Sequence, residues 1–273
     1  MAHTESALPL KNLQGKVAIV TGGASGIGEA TARLFADHGV RAVVIADVQD
    51  KNGQIVAKSI GTERCSYVHC DVSDEKQVKA MVDFTVEKYG QLDIMFSNAG
   101  IRSKSDQTIL DFNFSEFETL FGVNVRGMAA CVKHAARAMV EKGVKGSIVC
   151  TASVVASNCR GGTDMTDYVM SKHAVLGLVR AASQQLGVHG IRVNCVSPSV
   201  IATGMATNAG FTSEGIQMIF GPFTPLKGIE LTVNHIADAV LFLASNNSAF
   251  VTGHDLVVDG GFISLPHSII TEN

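Results

Sequence analysis

The chain has 273 residues, 46% of them hydrophobic and 17% charged, with a net charge of −3 and no basic run. That is enough apolar material for a large buried core. It excludes the electrostatic footprint that nucleic-acid binding requires.

Taken in chain order, residues 1–14 read as a polar tail of mixed charge. They carry neither the apolar core of a signal peptide nor an Arg-rich transit pattern. With no run of about 18 apolar residues, no membrane association is expected, and the cytoplasm is the expected location. Short β-branched runs then alternate with longer helical patterns. Strands are expected at 16–21, 42–47, 65–71, 92–97, 147–151, 192–197 and 255–259. Most are unalternating apolar runs, as in parallel strands covered on both faces. Helices are expected at 26–38, 73–89, 115–141, 167–186 and 233–244. Ser73, followed by Asp74 and Glu75, reads as an N-cap, and Ser115 with Glu118 as a capping box. The stretch 198–231 lacks clear periodicity, and a substrate lid is expected there at about 203–228. Residues 266–273 read as a C-terminal tail. The whole pattern predicts one doubly wound α/β domain over 15–265, with about seven mostly parallel strands and helices on both faces.

Six cysteines (Cys65, Cys70, Cys131, Cys150, Cys159, Cys195) include no Cys-x-x-Cys pair and mostly fall in apolar runs. A reducing compartment fits them better than a disulfide framework. Nine dispersed histidines form no ligand pattern, so no metal site is expected.

The first strand runs directly into Thr21-Gly-Gly-Ala-Ser-Gly-Ile-Gly28, and a helical pattern follows. Strand, glycine-rich turn and helix start stand in the order of a Rossmann-type dinucleotide site. Glycines at Gly22, Gly26 and Gly28 let backbone approach a pyrophosphate, with Ser25 and Ile27 between them. The helix start offers unpaired N–H groups to phosphate. Asp47 closes the second strand 19 residues after Gly28. Its carboxylate suits an adenosine ribose and repels a 2′-phosphate, and Val48 adds no positive charge. NAD is therefore the expected cofactor. The alternative for Asp47 is a solvated strand-end acid.

Tyr168 and Lys172 stand four residues apart in a helical stretch, so their side chains share a face. An ammonium beside a phenol makes it easier to ionise, which suits a base that takes a proton from an alcohol. By itself the spacing is equally that of a helix-surface contact.

Together these residues make the chain resemble the short-chain dehydrogenase/reductase family over roughly 15–262. The family's Thr-Gly-x-x-x-Gly-x-Gly matches Thr21–Gly28. Its strand-closing Asp matches Asp71, with Val72 beside it at the adenine. Its Asn-Ala-Gly matches Asn98, Ala99 and Gly100 along the cofactor. Its catalytic Asn, Ser, Tyr and Lys match Asn124, Ser153, Tyr168 and Lys172. After the sixth strand, the resemblance assigns Pro198, Ile201 and Thr203 to the nicotinamide end. Two departures are Pro198-Ser199, where the family commonly has Pro-Gly, and a Gly161-Gly162 insert between Ser153 and Tyr168. The Leu13–Gly28, Ser97–Ile101 and Asp167–Lys172 stretches are similar to those of plant secondary-metabolism dehydrogenases acting on borneol, secoisolariciresinol or xanthoxin.

The resemblance implies that Tyr168 is the general base for alcohol oxidation and that Ser153 orients the substrate oxygen. Lys172 lowers the Tyr pKa and holds the nicotinamide ribose, and Asn124 anchors a relay water. Read alone, Ser153 is also a turn serine and Asn124 a satisfied buried amide. Val155 on one wall, and Met205, Phe211 and Phe220 on the lid, are expected to contact substrate. Glu214 is the only charged residue between Thr203 and Leu226, whereas Arg102 and Arg160 lie near the edges of the walls. An apolar ligand follows. The expected reaction is oxidation of a bulky secondary alcohol, such as borneol to camphor. A lignan diol or another terpenoid alcohol is the alternative, and a non-catalytic NAD-binding scaffold is the alternative class. Helices 115–141 and 167–186 are apolar around much of their circumference, as if buried on two sides. The resemblance implies a homotetramer built on them.

Overall fold

The computed structural model describes residues 12–157, 163–205, 210 and 212–264. Its centre is a seven-stranded, wholly parallel sheet in the order β3-β2-β1-β4-β5-β6-β7. The strands are β1 (Val17–Thr21), β2 (Ala42–Asp47), β3 (Cys65–His69), β4 (Ile94–Ser97), β5 (Ser147–Thr151), β6 (Arg192–Pro198) and β7 (Asp255–Val258). The order reverses between β1 and β4, which opens a crevice at their C-terminal ends. That is where doubly wound sheets place their ligands.

Alternating residues of each strand serve two separate cores. Ile19, Val44, Met95, Ile148 and Val193 face one side, under α3 (Glu75–Tyr89), α5 (Met128–Glu141) and α6 (Thr166–Leu186). Ala18, Val20, Val43, Ile45, Phe96 and Val149 face the other, under α1 (Gly26–Asp37) and the C-terminal helix Val233–Ala244. Burial on both faces explains why these strands read as continuous apolar runs.

Two helices escape the sequence pattern. α2 (Asp50–Ile60) buries only Gly53, Val56 and Ala57, too narrow a stripe to register as a period. Within the expected lid, Ser213–Phe220 forms a helix that buries Ile216 alone.

The expected 115–141 helix is interrupted. It comprises α4 (Phe114–Phe121), a π-helical turn at Gly122–Gly127, and then α5. Neither expected serine cap holds. Asn113 caps α4, its side-chain oxygen accepting from Ser115 N–H at 3.0 Å and Glu116 N–H at 3.2 Å. Ser115 therefore lies inside the first turn. Asp74 caps α3, accepting from Lys76 N–H at 2.9 Å, and Ser73 turns back to Asp71. In each case the side-chain amide or carboxylate nearest the first turn takes the capping position. Among the described residues, no helix is long and apolar enough to cross a membrane.

Candidate active site

The glycine-rich turn leaves β1 and enters α1 under tight steric limits. Gly22 and Gly26 have φ of 65° and 56°, a region that suits glycine. A Cβ on Gly28 would lie 2.1 Å from the Gly22 carbonyl oxygen. Ser25, extended at the N-cap of α1, makes no side-chain capping bond, so the first-turn N–H groups can meet an anion. Ile27 leans into the neighbouring core.

Asp47 is buried rather than solvated. One carboxylate oxygen accepts from Ala24 N–H at 3.0 Å and the other from Gln49 N–H at 3.0 Å. It therefore braces the turn, beside an exposed Val48. Asp71 accepts from Ser73 N–H at 2.9 Å and Ser73 Oγ at 2.7 Å. Val72 turns its side chain into the core against Gly127.

Asn98 joins three strand ends. Its Nδ2 donates to Thr21 O at 3.1 Å, and its Oδ1 accepts from Thr151 Oγ1 at 3.0 Å. Ala99 N–H donates to Thr21 Oγ1 at 3.1 Å, and a Cβ on Gly22 would sit 3.0 Å from Ala99 Cα. From the far side, the Thr203 methyl comes within 3.4 Å of where a Gly26 Cβ would be. Pro198 ends β6 opposite Val258, and Ser199 N–H prolongs that pairing to Val258 O at 3.1 Å. Ile201 is buried in the core, its carbonyl accepting from Thr203 N–H at 2.8 Å.

The π-helical turn aims Asn124 inward, where it is fully buried. Its Oδ1 accepts from Ile101 N–H at 2.8 Å, and its Nδ2 donates to Ile101 O at 2.9 Å and Ser171 Oγ at 3.3 Å. Both amide hydrogens are engaged within the protein, leaving one oxygen lone pair. Asn124 thereby clamps the segment that follows β4.

Ser153, Tyr168 and Lys172 come together at the C-terminal end of β5. Ser153 is buried, and its Oγ accepts from Val155 N–H at 3.4 Å. Lys172 is 2% exposed, with Nζ donating to Thr151 O at 2.9 Å and lying 5.4 Å from the centre of the Tyr168 ring. A Cβ on Gly100 would lie 3.6 Å from the same Nζ. Burial lowers the Lys172 pKa to about 8, so its charge is present below that pH and lost above it.

The Tyr168 phenol is pushed above its usual range by burial, against two opposing influences. These are the neighbouring Ser153 hydroxyl and the positive charge of Arg102. This differs from the expectation that Lys172 lowers it. The ammonium lies by the ring and directs a hydrogen bond to Thr151 O, whereas Ser153 and Arg102 act on the hydroxyl end. In the sequence Arg102 stands only at the pocket edge. Its signal was its place two residues after Gly100.

Of the expected substrate contacts, Val155 is buried beside Ser153, and Met205 is half-buried. Phe220 packs edge-on against Phe262 at 6.0 Å, while Met218 and Ile219 face solvent. Phe211 and the Gly161-Gly162 insert lie outside the described residues. Among the described residues, no three His, Cys, Asp or Glu side chains cluster as metal ligands.

The family model described as enoyl-(acyl carrier protein) reductase matches residues 22–263. A (+)-cis,trans-nepetalactol synthase of Nepeta racemosa is 58% identical over 97% of this chain and 98% of its own length. A mitochondrial (−)-isopiperitenol/(−)-carveol dehydrogenase of Mentha piperita is 58% identical over 94% of this chain and 97% of its own. Among solved structures, a short-chain type dehydrogenase/reductase from Mycobacterium marinum superposes with a TM-score of 0.85 at 34% identity. That match covers 93% of this chain and 97% of the other.

Proposed function

Because the chain belongs to the short-chain dehydrogenase/reductase family, whose members use NAD(P), we propose that it oxidises a bulky apolar secondary alcohol with NAD⁺. The alcohol we favour is a monoterpenol of the borneol type, and the product is the ketone. One observation carries this reading: Ser153, Tyr168 and Lys172 meet at the crevice beside a glycine turn in which a Cβ on Gly28 would lie 2.1 Å from Gly22 O. That turn, the open start of α1 and Asp47 fit a dinucleotide.

Bound NAD⁺ supplies the hydride acceptor. In our reading Tyr168 takes the hydroxyl proton, and Ser153 holds the substrate oxygen in line. Lys172 reaches the nicotinamide ribose, and Asn124 keeps the wall after β4 in place. Gly22, Ser25, Gly26, Ile27 and Gly28 receive the pyrophosphate through backbone. Asp71 and Val72 border the adenine, Asn98–Gly100 the nicotinamide-side ribose, and Pro198, Ile201 and Thr203 the carboxamide. Val155, Met205, Phe211 and Phe220 form the apolar walls. The carveol and isopiperitenol named for one relative are cyclic monoterpenols, which supports this substrate class.

Asp47 is the residue we hold responsible for NAD over NADP. Asp47→Asn keeps an acceptor for the turn and removes the charge. Its kcat/KM ratio is expected to move about tenfold toward NADP⁺, a change of about 1.4 kcal/mol. An unmoved ratio would remove Asp47 from this role.

Nepetalactol synthases among the relatives, at 58% and 60% identity, favour a second reading, in which this chain makes a nepetalactol-type product at the same site. A panel of terpenols incubated with NAD⁺ separates the two. Stoichiometric NADH and ketone support the dehydrogenase. No NADH from any alcohol, with a lactol formed from its precursor, supports the synthase.

We further propose a cytoplasmic homotetramer. Phe114, Leu110 and Met170, on or beside α4 and α6, are exposed apolar side chains that a partner would cover. Light scattering should give four times the chain mass, and a monomer at micromolar concentration would defeat this. A fluorescent fusion that enters mitochondria would overturn the location.

A further inference from the structure

Asp47 is held through its backbone as well as through its carboxylate. It pairs with His69 of β3, and its carbonyl accepts from Cys70 N–H at 3.1 Å. The same carbonyl oxygen accepts from the Tyr67 hydroxyl at 2.7 Å. A side chain of β3 thus reaches across to the end of β2, where the cofactor's adenosine ribose is expected.

The Tyr67 ring is placed as closely as its hydroxyl. It lies over Gly53 of α2, where a Cβ would stand 2.2 Å from Tyr67 Cε2 and 2.3 Å from Cδ2. Gly53 is buried inside the helix, a position at which glycine costs helix stability relative to alanine. The ring it admits accounts for it. The hydroxyl shares its single hydrogen between Asp47 O and Asp50 Oδ1, the latter 2.6 Å away at the start of α2. His69 Nδ1 lies 2.7 Å from the same Asp50 oxygen. Burial, and then the bond to Asp50, hold the phenol far above its usual range, so it remains a donor. Tyr67 therefore clamps β3 to both ends of the turn from Asp47 to Asp50.

The clamp acts on the side of Asp47 that faces away from the crevice. A trans peptide is planar, so the Val48 N–H points opposite to the Asp47 carbonyl, away from β3 and to the β1 side of β2. On that side an Asp47 carboxylate oxygen meets Ala24 N–H of the glycine-rich turn. Fixing the carbonyl on β3 fixes the plane from which the carboxylate and the Val48 N–H are presented to a dinucleotide.

We propose that Tyr67 is a positioning residue for the cofactor: its hydroxyl, seated by the ring on Gly53, fixes the Asp47 peptide and so sharpens the choice of a ribose 2′-hydroxyl over a 2′-phosphate. This deepens the reading of Asp47 as the NAD-selecting residue and rests on it. A carboxylate that can swing aside leaves room for a phosphate, whereas one held in place meets it with its charge.

The test is binding and needs no alcohol. NAD⁺ and NADP⁺ are titrated separately by calorimetry into the full-length protein and its variants. Tyr67→Phe removes the hydroxyl and keeps the ring on Gly53. Its ratio of NADP⁺ to NAD⁺ dissociation constants should fall about fivefold, chiefly through weaker NAD⁺ binding. A merely structural contact would weaken both dinucleotides alike and leave the ratio unchanged. Gly53→Ala reaches the same point by another route, since its methyl suits the helix but displaces the ring and the hydroxyl with it. It should lower the ratio as well. In an Asp47→Asn background, where the ratio has already fallen, Tyr67→Phe should lower it no further. A wild-type ratio in Tyr67→Phe or in Gly53→Ala overturns the proposal. So does an equal fall with and without Asp47→Asn, because Tyr67 would then act independently of Asp47. A ratio unmoved by Asp47→Asn alone defeats the underlying reading, and the proposal with it.

Discussion

A Tyr168→Phe protein should bind NAD⁺ with unchanged affinity and lose about 10³-fold in kcat for alcohol oxidation. The substitution removes one oxygen and leaves the ring, so the contact with Lys172, 5.4 Å from the ring centre, persists. What disappears is the hydroxyl, the group whose ionisation the neighbouring Ser153 and the Arg102 charge both favour. Ser153 can still receive the substrate oxygen but has no base behind it. Fluorescence or calorimetric titration with NAD⁺ checks the first half, and initial NADH rates the second. Near-wild-type rates would sink the assignment. A protein that lost NAD⁺ affinity in parallel would make Tyr168 a binding residue instead. Burial and Arg102 act in opposite directions on this phenol, so the rate should rise with pH on the acid side as the phenolate forms. Above about 8 the free enzyme also loses the Lys172 charge, which should blunt that rise.

Gly28→Ala is expected to produce the largest effect on stability. Its new methyl would lie 2.1 Å from Gly22 O, 2.7 Å from Gly22 C and 2.9 Å from Gly23 Cα. All three are backbone atoms, so no rotamer change relieves the clash, and the turn must move away from α1. A loss of about 3 kcal/mol follows from overpacking of this kind. In a domain of this size that lowers Tm by roughly 10 °C. The displaced turn should also abolish the Tm increase that NAD⁺ gives the wild type. Gly177→Ala is the control, since a Cβ there meets nothing within 4 Å on the surface of α6. Differential scanning fluorimetry with and without NAD⁺ reads both. A Gly28→Ala protein with normal Tm and a normal NAD⁺ shift would mean that the turn is not the close-packed cradle described.

The central strands were legible because both their faces are buried: β1, β2, β4 and β5 are buried at every position and apolar at most of them. The fold class followed from their alternation with helices. What stayed hidden was whatever lacked a buried stripe. α2 shows only Gly53, Val56 and Ala57 to the core, and the lid helix only Ile216. The capping residues were off by one or two positions, because Asn113 and Asp74 compete with the neighbouring serines for the same first-turn N–H groups. The interruption at Gly122–Gly127 left no periodic trace, yet it is what turns Asn124 inward.

For the site, helical spacing put Tyr168 and Lys172 on one face and the family resemblance added Ser153; in the structure Lys172 Nζ lies 5.4 Å from the centre of the Tyr168 ring and Ser153 neighbours its hydroxyl. Which charge acts on which atom was not legible. Four residues of helix put Lys172 by the Tyr168 ring, whereas the positive charge that favours ionisation of the hydroxyl comes from Arg102, on the loop after β4. Asp47 is similar: its position at the end of β2 was readable, whereas its bonds to Ala24 and Gln49 depend on the fold of the turn.

The central claim is hydride transfer from a secondary alcohol at the Tyr168 site. It is tested most directly with borneol or carveol carrying deuterium on the carbinol carbon. The protein should deliver the label to the dinucleotide, giving singly deuterated NADH and the unlabelled ketone in equal amounts, with Tyr168→Phe delivering almost none. Ketone-free incubations, or product formed with the deuterium still on its original carbon, would contradict it.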